Sequence, residues 1–158
     1  MKILTFSKDL KIGNMVFIYF DFEYAVKEHD YIIENSGGLT GAKNLGLLNA
    51  TLDFVQDDLY YPELEDKVSY LFYSINKNHA FNDGNKRSSI ALSAYFLEIN
   101  GMGFISSKFI VEMENIAVDV ANNVIDRELL KEIITAVIYE DEFSYELKLR
   151  IIEAKSKL

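Results

Sequence analysis

Residues 79–87 read His79-Ala80-Phe81-Asn82-Asp83-Gly84-Asn85-Lys86-Arg87, a short polar stretch set between two runs of helical periodicity. Upstream, Leu64, Val68, Leu71, Phe72 and Ile75 recur at the spacing of a buried helix face, and that pattern runs out near Asn76 to Asn78. Downstream, Ile90, Ala91, Ala94 and Leu97 do the same within Ser88 to Asn100, with Asn100-Gly101 as the stop. The stretch is therefore predicted to be a helix–loop–helix turn whose second helix begins near Asn85. Such a helix N-terminus offers N–H groups without intrahelical acceptors and a partial positive charge, both of which favour a phosphate. Gly84 lets the backbone turn and approach that phosphate closely. Lys86 and Arg87 add charge at the same point, and an arginine fork grips two phosphate oxygens at once. Asp83 sets a carboxylate beside this anion site, an arrangement that calls for a bridging cation. Mg²⁺ is suited to it, because it takes one or two carboxylates together with phosphate oxygens. His79, at the opposite edge, supplies an imidazole, the side chain suited to taking a proton from an attacking hydroxyl.

The flanking sequence is helical on both sides. Phe22, Val26, His29 and Ile33 share one face, with Asp21 as N-cap and Gly37-Gly38 as terminator. Leu45, Leu48, Leu52 and Val55 form a second stripe, and the polar, glycine-containing segment Ser36 to Asn44 between them has no periodicity. Pro62 suits the first turn of the next helix, with Glu63, Glu65 and Asp66 where the macrodipole favours anions. Beyond Gly101, helices are predicted over Ser107 to Asn122 and Asp126 to Ile138. Phe143 to Lys157 reads as a surface helix, with Glu146 and Arg150 four apart, as are Glu153 and Lys157. Residues 1–20 hold two apolar runs, Ile3 to Phe6 and Met15 to Phe20, around Lys11-Ile12-Gly13-Asn14, the pattern of an extended arm or hairpin. The expected architecture is all-α and a single domain: an N-terminal arm at 1–20, a helical body at 20–138 and a C-terminal helical extension at 139–158.

Bulk properties narrow the function. The chain has 158 residues, 49% hydrophobic and 26% charged, enough for one buried core. Cysteine is absent, which excludes disulfides and thiolate metal sites and suits a reducing compartment. The apolar run Met15 to Phe20 is too short for a signal core or a membrane span. A net charge of −9 opposes nonspecific contact with DNA or RNA. The expectation is a cytoplasmic protein with no membrane or nucleic-acid partner, whose phosphate ligand is a small nucleotide.

The loop resembles the signature of the Fic/Doc family, His-x-Phe-x-Asp/Glu-Gly-Asn-x-Arg, met here by His79, Phe81, Asp83, Gly84, Asn85 and Arg87. The likeness extends from about residue 20 to 138. Glu28-His29-Asp30, Gly37-Gly38, Gly46-Leu47-Leu48, Tyr61-Pro62 and Gly101 look like the death-on-curing (Doc) branch. The resemblance implies a Fic/Doc-type helical bundle with His79 as general base and Asp83 as Mg²⁺ ligand. Gly84, Asn85, Lys86 and Arg87 would hold the phosphates of ATP, the co-substrate, and Phe81 would anchor the loop in the core. Gly38 to Gly46 would be the flap that holds a target peptide.

Two positions depart from the common pattern. Ala80 stands in place of a proline, and Lys86 stands where AMP-transferring members carry a second glycine. Doc-type members share this lysine, and their branch is associated with moving the terminal phosphate onto a translation factor. The family also contains an inhibitory Ser/Thr-x-x-x-Glu-Gly/Asn helix, for which Thr5-x-x-x-Asp9 is the nearest but incomplete counterpart. Its absence implies restraint by a separate antitoxin. The reading is a toxin-like transferase that phosphorylates a protein hydroxyl. AMP transfer on the same loop is the first alternative, and an inactive nucleotide- or protein-binding module is the second. His29, on an apolar helix face, is expected to be a hydrogen-bonded structural histidine. Tyr60 and Tyr61 are candidates to line a pocket near the loop.

Overall fold

The computed structural model describes residues 3–5 and 16–157, and it is all-α apart from one short strand pair. The connector Lys11 to Asn14 and the residue Asp9 lie outside the described residues. Strand β1 (Ile3–Thr5) pairs antiparallel with β2 (Ile18–Phe20), Leu4 opposite Tyr19, which is the strand pairing expected of a hairpin. Helix α1 (Phe22–Ser36) is capped by the Asp21 carboxylate, which accepts from the Tyr24 N–H at 2.8 Å. It ends at Gly37, whose positive φ of 83° stops the helix and returns its N–H to the Ile33 carbonyl.

Helix α2 (Leu45–Phe54) follows, and then α3 (Leu64–Lys77) begins at Glu63. Pro62 therefore precedes the N-cap instead of occupying the first turn. The reason is local: Glu63 and Asp66 form a reciprocal capping box, each side chain bonded to the other's backbone N–H, which fixes the start one residue later. Val68, Leu71, Phe72 and Ile75 bury the inner face of α3 against α4 (Asn85–Leu97), the central helix of the body. Helix α4 ends at Leu97 and widens into a π-type turn over Glu98–Met102 instead of running on to Asn100. The Asn100 amide makes two bonds to the Ile18 backbone, at 2.9 Å each, tying β2 to the end of α4.

Helices α5 (Ser106–Ala121) and α6 (Arg127–Tyr139), the latter capped by Asp126, close the body around Phe109, Met113, Leu130 and Ile133. Helix α7 (Tyr145–Ser156) covers them, with Leu147 buried and Phe143 and Ile151 packed against the core. Its charges reach across to other helices: Arg150 pairs with Glu132 of α6 and Lys155 with Asp119 of α5. The expected Glu146–Arg150 pair along the helix is not formed, because the neighbouring carboxylate on α6 is better placed. Among the described residues no helix is long and apolar enough to cross a membrane.

Candidate active site

The nine-residue loop joins α3 to α4, and its shape follows from one glycine and one asparagine. Gly84 is the N-cap of α4 in the left-handed conformation, φ 78°. A Cβ here would press on the flexible tip of Ile33 at 3.0 Å and meet the His29 ring in ordinary contact at 3.4 Å, so it is the left-handed φ that demands glycine. Asn85 folds its side chain back over the loop. Its Oδ1 accepts from the Phe81 N–H at 3.2 Å and its Nδ2 donates to the Phe81 carbonyl at 3.0 Å. The amide is thereby committed to the loop, and only the backbone of Asn85 is left to meet a ligand. Phe81 is buried at 2% exposure and lies flat on His29, ring centroids 3.6 Å apart and 2° from parallel.

His29 is fully buried and is structural, as its place on an apolar helix face suggests. Its Nε2 bonds the backbone carbonyl of Asp83 at 2.7 Å and its Nδ1 bonds Asp30 Oδ1 at 3.1 Å. Helix α1 thus holds the loop from below, through a stacked ring and a bond to the residue that carries the site's carboxylate.

From above, the segment after α1 is paired with the loop. Ala42 and Phe81 form an antiparallel bridge; the N–H groups of Lys43 and Asn44 donate to Ala80 O, and that of Asn82 to Gly41 O. The Asn82 amide also donates to Thr40 O at 3.0 Å. Leu39 N–H donates to Asp83 Oδ2 at 3.0 Å, and Arg87 Nη1 donates to Gly37 O at 2.8 Å. Leu39 itself is 68% exposed, so the far side of this segment faces solvent.

His79, Asn82, Asp83, Gly84, Asn85, Lys86 and Arg87 line one cavity of about 200 Å³, together with Asn76 and Ala121. His79 is exposed, with a left-handed φ of 50° that is uncommon for any residue but glycine and concentrates at functional sites. The first-turn N–H groups of α4 open into the same space, with the positive end of the helix dipole behind them. Asp83 is the loop's anionic member. The N–H groups of Leu39 and Gly84, and then the nearby Arg87 and Lys86 charges, hold its carboxyl below the ordinary Asp value. A depressed carboxyl stabilises the folded loop above that ordinary value and loses its contribution as pH falls through the lowered one. The Leu39 amide resonance is accordingly expected to keep its bonded position down to about pH 3.9, the ordinary Asp value, and to move only below it. A transition at or above that value would show that the carboxyl is not held in this way.

Tyr60 and Tyr61 do not reach this cavity. They line another, with Ser69, Tyr70, Arg127 and Lys131, because Tyr61 stacks on Tyr70 (4.2 Å between centroids) on the α6 side of the body. Two parts of the site were beyond sequence reading: Asn76, and the pairing of residues 37–44 with the loop. A single carboxylate, that of Asp83, lines the cavity, and no group of three or more His, Cys, Asp or Glu able to hold a metal occurs among the described residues. That donor set does not make a self-sufficient metal cage. It fits an ion that takes most of its ligands from phosphate and water.

A model of the Fic/DOC family matches residues 19–97. The chain is 36% identical over 89 residues to Toxin Doc of Mycolicibacterium smegmatis, covering 54% of this chain and 68% of that protein. It is 31% identical over 95 residues to Protein kinase doc of Escherichia phage P1, covering 58% of this chain and 75% of that protein.

Proposed function

This chain belongs to the Fic/Doc family, and we propose that it transfers the γ-phosphoryl group of ATP to a hydroxyl of another protein. The observation that carries this reading is the shared cavity: base, carboxylate, helix N-terminus, lysine and arginine line a single space. The hydroxyl oxygen forms a bond to the γ-phosphorus while the bond from that phosphorus to the β–γ bridging oxygen breaks. ADP leaves, and the hydroxyl proton passes to His79. Arg87 and the N–H groups of α4 hold phosphate oxygens, and Asp83 is the residue that would hold Mg²⁺, which supplies charge neutralisation between carboxylate and phosphates.

Lys86 selects γ over α transfer. It is exposed and its ammonium pairs with no other described residue, so it is available to phosphate, and its bulk occupies space that a glycine would leave for an AMP-transfer pose. The kinase name borne by the phage P1 relative supports the same choice. A toxin acting in the cytoplasm on a translation factor, restrained by a separate antitoxin, is the setting this chemistry suits.

The test is paired labelling. Incubation with lysate and ATP labelled at the γ-phosphate is expected to label protein, while ATP labelled at the α-phosphate leaves none. Label retained from the α position would establish AMP transfer and overturn the kinase assignment. No label from either position, with intact ATP binding, would make the chain a nucleotide-binding module.

A further inference from the structure

We propose that Asn76 is a positioning residue for His79, its side-chain carbonyl accepting the Nδ1–H of the imidazole when the site is loaded. This rests on the reading of His79 as general base and holds for either phosphorus. Asn76 lies on the last turn of α3, three residues before His79, at 1% exposure, and lines the same cavity. Its Nδ2 donates to the Ala117 carbonyl of α5 at 3.0 Å. That bond fixes which way round the amide sits, because only the nitrogen can face a carbonyl.

The consequence is an acceptor that cannot turn away. Asn76 Oδ1 is buried and has no partner, whereas such atoms are nearly always bonded. The unpartnered hydroxyls of Ser88 and Ser93 in α4 differ, since each can rotate toward the carbonyl four residues back. The amide of Asn76 has no such freedom.

His79 presents the complement. Its ring bonds no described residue, and a general base needs a second group to fix its tautomer and orientation. Nδ1 is the ring nitrogen nearer the backbone, and so the one that a residue one turn back can reach. With Nδ1–H on Asn76, Nε2 keeps its lone pair toward the incoming hydroxyl. Once Nε2 has taken the proton, the bond to Oδ1 becomes charge-assisted and strengthens. Asn76 would therefore act on the chemical step and leave nucleotide binding alone.

The experiment combines Asn76→Leu, close in volume and without polar atoms, with ¹⁵N NMR of the histidines of the unsubstituted protein bound to ATP and Mg²⁺. Expected are an Nδ1–H tautomer for His79 and, in the variant, roughly a tenfold to hundredfold loss of kcat at unchanged KM for ATP, the size of loss seen for outer partners of a site. The wild-type spectrum needs no variant to fold, and an Nε2–H tautomer there would overturn the proposal. So would an Asn76→Leu protein with unaltered kcat. If His79→Ala abolishes transfer while Asn76→Leu does not, only the role of Asn76 falls. If His79→Ala itself leaves transfer intact, the general-base reading falls with it.

Discussion

His79→Ala is expected to reduce γ-phosphoryl transfer to protein by about 10²- to 10⁴-fold, the usual contribution of a positioned general base. Binding of ATP and the melting temperature should stay close to wild type. The ring is exposed and holds no hydrogen bond within the described fold, so removing it deletes no contact that stabilises the protein. The elements proposed to bind phosphate, Gly84 and the first turn of α4, begin five residues further on and keep their own supports in His29 and Asn85. Label incorporation, equilibrium binding of ATP and a thermal melt separate these effects. A fall in ATP affinity parallel to the loss of rate would make His79 a ligand contact. Undiminished transfer would remove it from the mechanism.

Gly38→Ala is expected to lower activity nearly as far while leaving the fold in place. The φ of Gly38 is 120°, and a Cβ there would stand 2.6 Å from Asp83 Oδ2 and 2.9 Å from Arg87 Nη2. These atoms, and Ile33 Cδ1 at 3.0 Å, are all ends of flexible side chains, so they yield, and the main structural cost is the backbone strain of a non-glycine residue at positive φ, about 1–3 kcal/mol. The functional cost is larger, because two of the groups that yield are the carboxylate and the guanidinium of the site. If Asp83 and Arg87 hold metal and phosphate as proposed, displacing both is expected to lower ATP–Mg²⁺ affinity by roughly 10²-fold or more. Calorimetric titration of ATP with and without Mg²⁺ reads this directly. Wild-type affinity in a folded Gly38→Ala protein would show that the displaced groups do not bind the nucleotide.

The sequence states a good deal of this plainly, and the reason is contiguity. Helix faces repeat every three or four residues, so the stripes of α1, α3 and α6 are visible without any tertiary knowledge. The loop places its imidazole, carboxylate, glycine and arginine within nine consecutive residues, so their proximity is guaranteed by the chain itself. What stays hidden depends on segments that meet only after folding. The Ala42–Phe81 bridge and the Leu39–Asp83 and Arg87–Gly37 bonds each join residues far apart in sequence, and nothing in either partner announces the other. Arg150 shows the same limit: i,i+4 spacing names Glu146, while packing offers Glu132. His29 is the intermediate case. A histidine on an apolar stripe signals a buried partner without saying which carbonyl it is.

Helix α1, made early in synthesis, contributes the ring that stacks on Phe81 and bonds the Asp83 carbonyl, and those contacts span more than fifty residues of chain. Contacts of such separation form only after the intervening loop has been closed, which places them among the slower events of folding. A nascent or partly folded chain that has made α1 and α2 but not docked α4 holds neither a shaped loop nor a helix N-terminus behind it. The shape of the loop therefore arrives only with the docking of α4 on α1, and a cavity whose walls come from both sides of that closure is a property of the completed fold alone.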